Sequence, residues 1–254
     1  MQLEQQLRDR LKNKDILLMT HIVLGYPSFE INRQVIRQMV ANGVDCIEMQ
    51  IPFSEPMADG PVIVRANQQA LKNGTTVAEC LIFAAEMAAS YDIPFLFMTY
   101  YNIIFKYGEK AFLAKAHEHG IKGCIVPDLP PEEAASFLQL AADYQIAPIL
   151  IFAPTSIDER MRVLASYANG FIYCVARRGV TGTKSVIDQD VADYLKRCRQ
   201  ATALPLAVGF GIQDRADVAA LIGLADMAVI GSQTIRLVDE QGPAAVGPFI
   251  AGLR

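Results

Sequence analysis

Short apolar runs alternate with longer amphipathic stretches along the whole chain, about eight times over. No other feature restricts the fold as much. The runs are 16–25 (ILLMTHIVLG), 44–51 (VDCIEMQI), 94–101 (PFLFMTYY), 123–128 (GCIVPD), 147–154 (APILIFAP), 170–176 (GFIYCVA), 204–211 (LPLAVGFG) and 226–232 (DMAVIGS). Strands this continuously apolar suit a parallel sheet covered on both faces. Between them, helical spacing occupies 31–43, 64–73, 77–91, 109–119, 132–144, 157–167, 191–199 and 215–224, with a last helix beyond 232. A further helix, 3–11, leads the chain.

Regular β–α alternation implies parallel strands joined by helical crossovers. Eight units close a barrel more readily than they extend a doubly wound open sheet, which is the alternative. The 254 residues match the usual size of one (β/α)8 barrel. No linker, repeat or low-complexity segment interrupts them, so the expectation is a single TIM-barrel domain over 1–254 with an extra N-terminal helix.

Composition narrows the function. With 52% hydrophobic and 20% charged residues, the chain can bury a large core. A net charge of −4 leaves no basic footprint for nucleic acid. The five cysteines (Cys46, Cys80, Cys124, Cys174 and Cys198) are scattered and form no C-x-x-C pair. They suggest neither a disulfide framework nor a zinc site, and fit a reducing cytoplasm. The opening MQLEQQLRDRLKNKD is charged throughout and does not read as a signal peptide.

In such barrels the chemistry sits at the C-terminal ends of the strands. Three glycine clusters follow the last three strands: Gly179–Gly182, Gly209–Gly211 and Gly231–Ser232. Glycines let backbone N–H groups approach an anion, and Ser232 would open the helix after strand eight, where free N–H groups favour phosphate. Any one cluster could be ordinary turn glycines. Three at one barrel end point to a phosphorylated small molecule.

At the other side of the mouth, Glu48 lies inside an apolar strand, where a carboxylate is costly unless paired or used. Alternation places Glu48 and Gln50 on one face and Ile47, Met49 and Ile51 on the other. If the apolar set faces the helices, Glu48 points into the barrel mouth as a candidate acid–base group; the alternative is a Glu paired with a buried cation. Asp59 lies in a Pro-flanked loop close behind and is either turn chemistry or a second carboxylate with a different role. Tyr173, Tyr100 and Tyr101 read more readily as core residues than as site residues. Asp128 reaches the active end or caps the helix start at Pro131–Glu133. His21 falls within strand one. His117 and His119 lie on different sides of a helix and do not form a metal site.

These residues sit in a longer pattern. The stretch PFSEPMADGP (52–61) with Glu48 before it closely resembles the signature loop of tryptophan synthase α chains. The resemblance extends in order to LGYP (24–27), MTYYN (98–102), VPDLPPEE (126–133), RRGVTG (177–182), VGFGI (208–212) and IGS (230–232). It covers nearly the whole chain. It implies retro-aldol cleavage of indole-3-glycerol phosphate to indole and glyceraldehyde 3-phosphate, late in tryptophan biosynthesis, without a metal or a Schiff-base lysine.

The resemblance also assigns roles. Glu48 acts on the glycerol hydroxyl and on indole C3, Asp59 binds the indole N–H, and Tyr173 lies beside the scissile bond. Thr181 helps position Asp59. Gly182, Gly211, Gly231 and Ser232 hold the phosphate, while Ile63, Tyr100 and Phe210 flank the indole. The family works with a β chain that carries pyridoxal phosphate, in an assembly of two α and two β chains, so no cofactor is expected here. Pro52, Glu55, Asn102 and Phe105 match regions that meet that partner.

Three positions depart from the family pattern: Gln50 for a usual Gly, Glu55 for a usual Asp, and Ala176 for a usual Ser. The Gln50 amide either bonds the ionised Glu48 or turns to a neighbouring loop. Without the resemblance, two rivals stay open: another phosphate-binding barrel enzyme, and a non-catalytic subunit that activates a partner.

Overall fold

A computed structural model describes residues 2–176, 189–209 and 211–254. In chain order its first half contains α1 (Gln2–Leu11), β1 (Leu17–Val23), α2 (Phe29–Ala41), β2 (Cys46–Gln50), α3 (Pro61–Lys72), α4 (Val77–Ser90), β3 (Phe95–Met98), α5 (Tyr101–Tyr107), α6 (Glu109–Glu118) and β4 (Gly123–Ile125). There follow α7 (Ala135–Asp143), β5 (Ala147–Phe152), α8 (Asp158–Tyr167), β6 (Ile172–Val175), α9 (Gln189–Ala201), β7 (Leu206–Gly209), α10 (Arg215–Leu221), β8 (Met227–Ile230), α11 (Ser232–Gln241) and α12 (Val246–Gly252). The strands pair in sequence order, all parallel, and β8 returns to β1 to close the barrel. The expected (β/α)8 architecture is the observed one.

Local chemistry sets the helix starts. Ser28 caps α2 by accepting from the Ile31 N–H at 3.2 Å. Thr76 and Glu79 form a reciprocal capping box at α4. Pro61 occupies the first turn of α3, where its missing N–H costs nothing. Three elements differ from the sequence reading, the first being that two helices, α11 and α12, follow β8 where one is expected. An unforeseen short helix, α5, follows β3 and is separated from α6 only by Gly108 at φ 93°. The expected helix 132–144 is a 3-10 turn, Pro131–Glu133, followed by α7. Asp128 does not cap that turn. Its Oδ1 accepts from the Tyr101 N–H at 2.8 Å and caps α5 instead.

Two apolar layers fix the strand register. Ile47 and Met49 belong to the layer between barrel and helices. Cys46 belongs to the barrel interior with Leu17, Met19, Leu96 and Phe171. A slip of one residue in β2 would turn Ile47 and Met49 inward and drive Glu48 and Gln50 into the helix layer. Burying an aliphatic side chain contributes about 1.5–3 kcal/mol, and a buried unpaired charge costs more, so that register has no near competitor. Leu3 and Leu7 of α1 join the interior layer. The leading helix thus packs onto the barrel's N-terminal end, and the opposite end is left to the loops. All five cysteines are buried and free. Among the described residues no helix is long and apolar enough to cross a membrane.

Candidate active site

The register that buries Ile47 and Met49 outward aims Glu48 into the barrel mouth. Its strand partner on β1 is His21. The Glu48 Oε1 lies 2.7 Å from the His21 Nδ1, with both side chains almost fully enclosed, 4% and 3% exposed. The alternative reading of Glu48, pairing with a buried cation, is therefore met, but by a ring that can itself titrate. Burial alone would push the His21 pKa down. The hydrogen bond and charge of Glu48 outweigh it, with the Asp59 charge and the Gln50 amide acting the same way, and the ring ends above its ordinary value. Glu48 Oε2, His21 Nε2 and Gln50 Oε1 are buried with no hydrogen-bond partner among the described residues.

Asp59 is fixed from two sides. The Gln50 Nε2 donates to Asp59 Oδ2 at 2.7 Å, and the Tyr100 hydroxyl donates to the same oxygen at 3.1 Å. The question of where the Gln50 amide goes is thereby answered: to the loop, not to Glu48. Gln50 is fully buried, so this bond is shielded from water on one side. The Tyr100 oxygen in turn accepts from the Ala58 N–H at 3.0 Å. Its ring stacks on Phe53 with centroids 5.0 Å apart. Burial and then the Asp59 charge raise the Tyr100 pKa, so the phenol keeps its proton and donates. Asn67, buried in α3, accepts from the Phe53 N–H at 2.9 Å and donates to the Ile63 carbonyl at 2.9 Å. It ties the middle of the loop to the helix that follows.

Across the mouth, Tyr173 of β6 packs against the interior layer. Burial, then the charges of Glu48 and Asp59, raise its pKa well above the ordinary value, which keeps this phenol neutral too. A Cβ added at Gly209 would lie 3.0 Å from the Tyr173 Cε1 and 3.1 Å from its oxygen. The glycine is what lets the ring lie flat over β7.

Two of the three glycine clusters, Gly209–Gly211 and Gly231–Ser232, have glycines among the described residues. Gly211 has φ +83° with open space where a Cβ would be. Gly231 caps α11, and Ser232 is the first residue of that ten-residue helix. The Thr234 hydroxyl bonds the Gly231 carbonyl at 2.8 Å and the His21 carbonyl at 3.2 Å, joining the helix start to β1. The Ile63 Cδ1 lies 4.0 Å from the position of a Cβ on Gly231, so Ile63 stands beside the helix start after β8. Thr181, Gly182 and Phe210 lie outside the described residues. On the outer rim, Pro52 is buried, whereas Glu55 and Asn102 are exposed. Met57 is 91% and Phe105 66% exposed.

His21 was given no role at the site by sequence reasoning, and Asn67 was not singled out. His21 alternates inward with Met19 on β1, but only the β1–β2 register puts it opposite Glu48.

The sequence matches the family model described as "Tryptophan synthase alpha chain" over residues 7–246. The tryptophan synthase alpha chain of Desulfotalea psychrophila is 68% identical over 254 residues, covering 100% of both chains. That of Syntrophotalea carbinolica is 56% identical, covering 99% of this chain and 100% of its own. This chain belongs to the tryptophan synthase alpha chain family. Tryptophan synthase of Mycobacterium tuberculosis superposes with a TM-score of 0.91 at 29% identity, covering 99% of this chain and 96% of that one. A structure titled for the mutual activation of the Pyrococcus furiosus tryptophan synthase a2b2 complex superposes at 0.87 with 32% identity, over 93% and 97%.

Proposed function

We propose that this chain is the lyase subunit of a tryptophan synthase and cleaves indole-3-glycerol phosphate into indole and glyceraldehyde 3-phosphate. The observation that carries the reading is a buried carboxylate, Glu48, aimed into the mouth of a barrel whose rim, two strands away at β8, offers a glycine and a helix start. Substrate lies with its phosphate at Gly211, Gly231 and Ser232, joined by Gly182, where backbone N–H groups favour an anion. Its indole lies between Ile63, Tyr100 and Phe210, with the ring N–H on Asp59.

The chemistry follows from that placement. Glu48 protonates indole C3, and the ring becomes an indolenine cation. Asp59 stabilises its positive N–H through charge and a hydrogen bond. Glu48 then takes the proton of the glycerol hydroxyl. The C–O bond becomes a carbonyl, and the bond to C3 breaks with its electron pair returning to the indole. One proton enters and one leaves, so the protein ends as it began. Tyr173 lies beside the bond that breaks as a neutral phenol. Thr181 helps position Asp59.

The exposed Met57 and Phe105, with Glu55 and Asn102 beside them and Pro52 beneath, form the face we assign to a β chain. That partner would hold pyridoxal phosphate and do the cofactor chemistry, in a heterotetramer of two α and two β chains. Five buried free thiols support a cytoplasmic location. The test is an assay of the purified chain with indole-3-glycerol phosphate. Indole and glyceraldehyde 3-phosphate in equal amounts support the reading. Activation of a β chain without any release of indole would favour the non-catalytic alternative.

A further inference from the structure

His21 is not needed for the reading above, yet it makes the closest contact to the group that reading depends on. We propose that His21 is a positioning residue for the cleavage: it grips Glu48 through Oε1, shares one proton with it, and leaves Oε2 to meet substrate. The proposal rests on Glu48 being the acid–base group.

The geometry allows little else. His21 and Glu48 are register partners on adjacent strands, with Nδ1 2.7 Å from Oε1 and both side chains nearly enclosed. Oε2 is the oxygen left without a partner among the described residues. The groups facing the ring are Glu48 and Gln50 from β2 and Asp59 from the loop beyond, with Tyr173 of β6 facing the same two carboxylates as a neutral phenol. On its other side β8 (Met227–Ile230) contributes only apolar residues. Among the described residues the ring therefore meets acceptors and negative charge and no cation. A buried ion pair of this kind adds little net stability, because desolvation offsets the attraction. Its consequence is where the proton resides.

The proton count shows what that does for the reaction. Glu48 must give a proton to C3 and later collect one from the hydroxyl. The pair holds one proton at the start, none after C3 is protonated, and one again when the hydroxyl proton arrives. With His21 present, that first proton can reside on the ring, against the Glu48 oxygen 2.7 Å away, and the ring keeps it to higher pH than its ordinary value would allow.

Two measurements on the full chain decide the matter. The first is a proton–nitrogen NMR titration of the histidine rings, with His21 assigned by its loss in His21→Asn. The expected His21 midpoint lies above 6.5, its ordinary value, and falls by more than one pH unit in Glu48→Gln. A midpoint at or below that value, or one that Glu48→Gln does not move, overturns the proposal. The second is the pH profile of kcat/KM. Asparagine at position 21 can still donate to Oε1 but cannot titrate. The basic limb should move at least one pH unit toward acid in His21→Asn, leaving the variant closer to wild type at pH 6 than at pH 8. A profile merely scaled down, with its limb in place, shows a packing role only and overturns the proposal. Failure of wild type to release indole would instead remove the lyase reading, while the ring titration still decides whether the pair exists.

Discussion

Replacing Gln50 with Met tests whether the bond to Asp59 matters for turnover. Met conserves the volume of this fully buried side chain and removes only the amide. The lost interaction is a 2.7 Å hydrogen bond to a carboxylate. Bonds to charged groups contribute about 1.5–3 kcal/mol. Asp59 keeps its Tyr100 partner at 3.1 Å and is partly exposed, so water replaces part of what is lost. Halving the range leaves about 0.75–1.5 kcal/mol, or roughly a 4- to 12-fold fall in kcat/KM if Asp59 must be held for the transition state. Stability should move the other way or not at all, because the buried Gln50 Oε1 has no partner among the described residues and Met removes that penalty. The assay is steady-state indole release, with a urea melt of each protein alongside. A kcat/KM within twofold of wild type in a folded variant would refute the reasoning. So would a fall that simply tracks a loss of stability.

Other expected outcomes follow from single contacts. Gly209→Ala places a methyl 3.0 Å from the Tyr173 ring, and should lower kcat several-fold while the chain stays folded by circular dichroism. Gly211→Val puts a side chain where backbone would meet phosphate and strains φ +83°; KM for substrate should rise more than the melting temperature falls, as read by kinetics and a thermal scan. Tyr173→Phe should leave the shape of the pH profile unchanged, since the phenol is held neutral across the working range. Asp45 is fully enclosed, accepts from the Leu18 N–H at 2.9 Å, and meets Lys14 and Arg254. Asp45→Ala would leave the Leu18 N–H without its acceptor, while Lys14 and Arg254, 29% and 32% exposed, turn to water, and should cost about 1–3 kcal/mol in a urea melt. For His21 the folded pKa is raised above 6.5, so the native state binds more protons than the unfolded chain above that pH. Its stabilisation is present in full below 6.5 and lost as pH rises through the folded value, a fall that urea midpoints should show for wild type and not for His21→Phe.

The barrel was legible because each strand carries its own period. Residues 44–51 read as a strand, and their alternation already separated Ile47 and Met49 from Glu48 and Gln50. What a single strand cannot show is its neighbour. That His21 stands beside Glu48 depends on the offset between β1 and β2, set by packing along both strands. For the same reason the Gln50 amide had two readings until the loop returned Asp59 to it. The helix α5 escaped notice because TYYNIIF continues the apolar character of β3, and period alone does not part a short helix from a strand. Asp128 was placed at the right end of the barrel, but its partner belongs to another loop. For His21, Gln50 and Asp128 the missing information was a long-range neighbour; for α5 it was the local conformation itself.

The most direct test of the whole account is Glu48→Gln in the purified chain, assayed for indole from indole-3-glycerol phosphate in a single turnover at saturating enzyme. Glutamine keeps the shape and can still accept from His21, but it neither gives nor takes the proton. A lost general acid–base group predicts a fall of about 10²–10⁴-fold with substrate binding retained. A variant that keeps more than a tenth of the wild-type rate would contradict the account.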